Sequence, residues 1–103
     1  MTVNGKEIDF KITRVGDAEK FSAALKAMEK DEEELQKKKG VEMSLFLRSY
    51  IEMFSRFFIS ATGVDVLEGC DDAQEAQEAY LDFLKEVNKS KTKIMQFKAE
   101  DIE

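Results

Sequence analysis

Few side chains in this chain could do chemistry: one cysteine, Cys70, with carboxylates around it, and no histidine or tryptophan anywhere. Without histidine most nucleophile–base pairs and the ordinary zinc sites are gone, and no glycine-rich phosphate loop takes their place. Cys70 stands between Glu68 and the pair Asp71-Asp72, and neighbouring negative charge disfavours the thiolate that a nucleophile needs. Asp65, Glu68, Asp71 and Asp72 could offer oxygens to a hard cation, yet their spacing matches no EF-hand loop. Two of them fall where a helix start favours negative charge, so they read as caps and solvated surface. The expectation is a protein with no catalytic residues, no metal and no cofactor, and therefore not an enzyme.

The remaining chemistry is that of surfaces. Net charge is −6, and the excess is local. Residues 64–84 carry seven carboxylates (Asp65, Glu68, Asp71, Asp72, Glu75, Glu78 and Asp82) and no cation. Such a segment repels nucleic acid and suits a basic protein surface, so DNA or RNA binding is not expected, and Asp71, Asp72, Glu75 and Glu78 form the candidate acidic surface. The second candidate surface is apolar. Met43, Phe46, Leu47, Tyr50, Ile51, Met53, Phe54, Phe57, Phe58 and Ala61 recur at helical spacing and, at 100° per residue, fall on one arc of about 160°, wider than the stripe of an ordinary surface helix. One neighbouring helix cannot cover such an arc. Most of the arc reads as the core face of a central helix touching helix one on one flank and helix three on the other, while part can stay open as a groove. Met and Phe together suit an adaptable partner surface, and Met43, Phe46, Tyr50, Phe54 and Phe57 are the residues expected to contact a protein partner.

These surfaces need a scaffold, and its elements are legible in outline. Asn4-Gly5 is a hairpin signal, followed by strict alternation from Lys6 to Ile12 that puts Ile8, Phe10 and Ile12 on one face of a strand. The hairpin, 2–12, has a short first arm and must lean on helices or on a partner. A first helix is expected over about 18–38, capped by Asp17, with Ala18, Phe21, Leu25, Met28 and Leu35 at helical spacing and Gly40 as its left-handed stop. Acid-first pairs such as Glu33 with Lys37 support its charged second half. The aromatic helix follows over about 42–62, ended by Gly63, with Arg48, Glu52, Ser55 and Arg56 on its wet side. Asp72 with Glu75 three residues on makes a variant capping box for a third helix over about 72–97, expected to fray along the polar stretch 88–93. Residues 99–103 are expected to be a mobile tail.

At 103 residues the chain holds one small core and hence one domain, 1–103. Eight Phe and no Pro favour continuous helices over a loop-rich or disordered chain. A single cysteine and the absence of a secretory leader fit a reducing cytoplasm. Arg48, Glu52 and Arg56 interrupt the longest apolar run, so no membrane span is expected. The fold class is mainly α (α+β): a short N-terminal β-hairpin packed on a three-helix bundle with the second helix central.

The start Val3-Asn4-Gly5-Lys6-Glu7-Ile8-Asp9-Phe10, the charged first helix, the aromatic central helix and the acidic break Val66-Leu67-Glu68-Gly69-Cys70-Asp71-Asp72 leading to Tyr80-Leu81-Asp82-Phe83-Leu84 form a recognisable order. In that layout, over most of its length, the chain resembles small phage and prophage tail assembly chaperones. The resemblance implies a protein of the bacterial host cytoplasm that binds the long helical tape measure protein while tail tube subunits assemble around it. Two other readings stay open: a homo-oligomeric structural subunit of a phage particle, which buries the same apolar arc against copies of itself, and a small acidic inhibitor of a host protein.

Overall fold

The computed structural model describes the backbone of residues 1–102 and the side chains of residues 1–96. Five elements follow one another: β1 (Thr2–Val3), β2 (Lys6–Glu7), α1 (Val15–Lys37), α2 (Met43–Thr62) and α3 (Ala73–Ile102). This is the mainly helical bundle with an N-terminal hairpin that the sequence pattern calls for.

The hairpin forms because Asn4 and Gly5 both adopt positive φ, 50° and 78°, the backbone of a two-residue turn matched to strand twist. Val3 pairs with Lys6 and Thr2 with Glu7, antiparallel. Beyond it the Ile8 amide donates to the Met1 carbonyl at 2.8 Å and the Met1 ammonium to the Ile8 carbonyl at 3.3 Å; there the pairing ends, and the strand expected to continue to Ile12 does not form. Its alternation survives for another reason: Ile8 and Phe10 are buried and Ile12 half-buried against the helices. The hairpin leans on its own chain. Asn4 Nδ2 donates to the Val66 carbonyl at 2.8 Å and Lys6 Nζ to the Asp65 carbonyl at 3.0 Å, fastening the turn to the segment between α2 and α3.

α1 starts three residues earlier than the spacing suggests, and Asp17 is not its cap. Arg14, extended at φ −85° and ψ 130°, precedes the first turn and makes no side-chain cap bond. Asp17 lies inside that turn, where its Oδ2 accepts from the Lys11 amide at 2.9 Å and pairs with Arg14 Nε at 2.9 Å. Its carboxylate therefore ties the preceding segment to the helix dipole instead of capping it. Gly40 takes positive φ, 72°, but it is not the stop of α1: the helix ends two residues earlier on Lys38, extended at φ −73° and ψ 120° with its amide on the Leu35 carbonyl.

α2 ends as read, on Gly63 in the left-handed conformation (φ 79°, ψ 2°) with its amide on the Ile59 carbonyl at 2.9 Å. Asp72 caps α3, its Oδ1 accepting from the Gln74 amide at 2.9 Å. The fraying expected over 88–93 does not occur. That stretch holds neither Gly nor Pro, and Lys89 at its start pairs with Glu86 at 3.3 Å, so nothing breaks the helix. The tail expectation for 99–103 and the placement of Phe97 fall outside the described side chains.

The core is aromatic. Phe57, Phe58, Phe83 and Val66 are its largest fully buried side chains. Phe83 meets Phe10, Phe21, Phe57 and Phe58 at ring-centroid distances of 5.1, 6.0, 5.9 and 5.5 Å, so hairpin strap, α1, α2 and α3 converge on one ring. Tilted and edge-on geometry prevails there, as the ring quadrupole favours. α2 lies between α1 and α3 and packs on both. Tyr80 meets Phe54 and Phe57, whereas Phe83 meets Phe57 and Phe58, so α3 advances along α2 in the same sense. Among the described side chains the last buried residue of α3 is Val87, yet the helix continues to Ile102, about 22 Å further at 1.5 Å per residue. The molecule measures 57 × 28 × 20 Å.

Candidate interaction surface

The wide arc of α2 divides along its length. In its second half Met53, Phe54, Phe57, Phe58 and Ala61 are buried. In its first half Phe46 and Tyr50 are half-buried and Met43 is 70% exposed. The five residues expected at a partner surface therefore do not act alike. Phe54 and Phe57 are only 4% and 2% exposed and belong to the core, because α1 covers one flank of α2 while α3 covers the other at that level. Met43, Phe46 and Tyr50 remain where a partner could reach them.

An aromatic ladder joins the two halves. Phe46 stacks on Tyr50 at 6.3 Å, Tyr50 meets Phe54 edge-on at 5.0 Å, and Phe54 meets Tyr80 at 4.9 Å. The surface rings are thereby held by buried ones. Burial of Tyr80, helped by the carboxylates of Glu32 and Glu29, raises its phenol above the ordinary tyrosine range and keeps it neutral.

Around the first turns of α2 the structure adds exposed residues that periodicity alone did not single out: Val41 and Leu45. Leu47, part of the arc, is exposed beside them. Leu45 lies on the wet side by angle, so no stripe reading could have selected it. A second feature was also missed. The 63–72 segment is more than a connection: Val66 and Leu67 are 0% and 2% exposed, plugging the bundle between α2 and the hairpin turn. The signal was present in the apolar pair standing between two glycines, Gly63 and Gly69, both at φ 79°. With the segment folded back along α2, a groove of about 470 Å³ opens between them. Leu47, Ile51 and Leu67 give it apolar lining, and four carboxylates, Glu52, Asp65, Glu68 and Asp71, outnumber its one cation, Arg48.

The four acidic candidates are all exposed but do not form one site. Asp71 lines the groove, Asp72 is engaged as the α3 cap, Glu75 lies in the first turn of α3, and Glu78 accepts from Gln74 Nε2 at 3.4 Å. Cys70 is free and half-buried, its Sγ donating to the Asp72 carbonyl at 3.4 Å. Among the described residues no three His, Cys, Asp or Glu side chains converge as metal ligands would. No helix, over the described residues, is long and apolar enough to cross a membrane.

Chemically, the arrangement offers an apolar face held by stacked rings, with a carboxylate-bearing groove alongside. That suits non-covalent docking of a helix with an apolar stripe. Comparison with known proteins adds no relative: the chain matches no protein-family model, no curated protein and no solved structure.

Proposed function

We propose that this protein is a non-enzymatic binding module that docks an apolar helical segment of a protein partner on the first half of α2, and that it serves as a phage or prophage tail assembly chaperone. The observation that carries this reading is that the apolar stripe of α2 outruns its cover. Met43, Phe46, Leu47 and Tyr50 continue the stripe of Phe54, Phe57 and Ala61 in register, but they stay exposed or half-buried where Phe54, Phe57 and Ala61 are covered. Uncovered apolar area of this kind on a small chain is a mark of interaction, and a Met/Phe/Leu surface can repack around different helical stripes.

The client in this reading is the tape measure protein, a long helix whose apolar stripes need cover until tail tube subunits enclose it. The site of action is then the bacterial host cytoplasm, with no role for nucleic acid, cofactor or metal. The carboxylates of residues 64–84 add solubility and attraction to basic stretches of the client, which salt screens.

The test is co-expression of a tape measure fragment with wild type and with Met43→Asp/Phe46→Asp. Wild type is expected to keep the fragment soluble and the variant, folded by circular dichroism, to fail. Equal solubilisation by both would overturn the proposal. Substituting Phe54 would not serve, because a charge at that buried ring tests folding and not docking.

A further inference from the structure

α3 repeats, at the other end of the molecule, what α2 does at its start. Its core face, Ala76, Phe83 and Val87, continues in register to Ile94, which is 57% exposed, with Met95 62% exposed beside it. At about 100° per residue Lys91 lies between Ile94 and Met95 on that face, and Lys93 flanks it. Residues 85–98 carry five lysines (Lys85, Lys89, Lys91, Lys93 and Lys98) against one acid, Glu86, directly after the segment 64–84 with seven acids and no cation. The chain thus has a basic apolar helix at one end and an acidic apolar groove at the other. Among the described residues Lys91, Lys93, Glu52 and Asp71 take part in no ion pair. Because α3 advances in the same sense as α2, its distal turns point away from the groove of their own chain.

We infer that the distal part of α3 docks, through Ile94 and Met95 with Lys91 and Lys93, into the groove between α2 and the 65–71 segment of a second copy of this chain. Leu47 and Ile51 receive the apolar side chains and Glu52 and Asp71 face the lysines, while Glu68 in the same groove is paired with Lys6 at 3.4 Å. Donor and acceptor are different surfaces at opposite ends, so the contact is heterologous. Much of its attraction is between exposed charges and is sensitive to salt, since the Debye length shrinks from about 10 Å at 0.1 M to about 3 Å at 1 M. The inference goes beyond the proposed function and needs no client.

The experiment is sedimentation equilibrium of the full chain over a concentration series, with two charge-reversal variants. Wild type at low salt is expected to exceed the 11.8 kDa chain mass and climb with concentration. At 1 M salt the association should weaken at least about tenfold. Lys91→Glu/Lys93→Glu and Glu52→Lys/Asp71→Lys, each folded by circular dichroism, should each remain near the chain mass alone. Mixed one to one they should associate again, because each reversed surface then meets a complementary one. A wild type that stays monomeric throughout, variants that associate like wild type, or a mixture that fails to associate would each overturn the inference. Client solubilisation, scored separately with the Met43→Asp/Phe46→Asp variant, does not enter this readout.

Discussion

Truncating Phe57 to alanine should cost the protein a large share of its stability. The ring is 2% exposed and is flanked by Phe21, Phe58, Tyr80 and Phe83 at centroid distances of 6.1, 5.5, 5.1 and 5.9 Å. Removing a buried Phe costs about 3–5 kcal/mol, from lost transfer energy plus the cavity left behind. Four aromatic neighbours from three helices cannot all collapse into that space, so about 4 kcal/mol is the working figure. A domain of this size has about 5–15 kcal/mol in total, so the variant should be marginal. With a urea slope of about 1.5 kcal/mol/M, the unfolding midpoint should fall by about 2–3 M. The assay is urea denaturation followed by circular dichroism, with Met43→Ala as the comparison. Met43 is 70% exposed, and its removal should change stability by under about 0.5 kcal/mol. A loss below about 1 kcal/mol at Phe57, or a loss at Met43 equal to it, would refute the division of α2 into a covered and an uncovered half.

The glycines of α1 and α2 should respond to alanine with opposite signs. Gly63→Ala should destabilise by about 1 kcal/mol because φ is 79° although nothing lies within 4 Å of the added carbon, whereas Gly16→Ala, inside α1 with equally open space, should stabilise by about 0.5 kcal/mol; thermal melts of the two variants check both. Asp72→Ala should cost about 1 kcal/mol by removing the cap of α3, measured by urea denaturation. Acid should also weaken the fold. The Arg14 guanidinium, 2.7 Å from Asp9, and the Thr2 hydroxyl and N-terminal ammonium beside Glu7 hold these two carboxyls below their ordinary range. Their contribution is present above the unfolded values and lost as pH falls through the folded ones, a small effect at exposed groups that Asp9→Asn should reduce in a stability–pH series.

The sequence made the helices and their order legible because each carries local signals: periodic apolar residues, Asp72 at a cap, Gly63 at a stop. It also made the Asn4-Gly5 turn plain. Other features depend on what meets what. Alternation through Ile8, Phe10 and Ile12 looks like a strand, yet past Ile8 it arises from a segment that lies on the helices and belongs to no strand. The position of Asp17 satisfies the rule for a cap, but its carboxylate bonds backward to Lys11 and Arg14. The arc of α2 was visible as an arc. Which part of it is covered was not, because that depends on where α3 crosses and on Val66 and Leu67, whose plugging role follows from the hairpin turn 62 residues away in sequence. For that reason Phe54 and Phe57 share the spacing of Met43, Phe46 and Tyr50 but not their exposure.

The most direct measurement of the central claim is a two-dimensional amide NMR titration of the labelled protein with a helical tape measure fragment. Shift changes are expected to concentrate on residues 41–51, spreading to Leu67 through Asp71 across the groove, while the amides around Phe58 and Phe83 stay near their free positions. Changes centred elsewhere on the surface, or none at fragment concentrations up to the millimolar range, would contradict the assignment of the first half of α2 as the docking face.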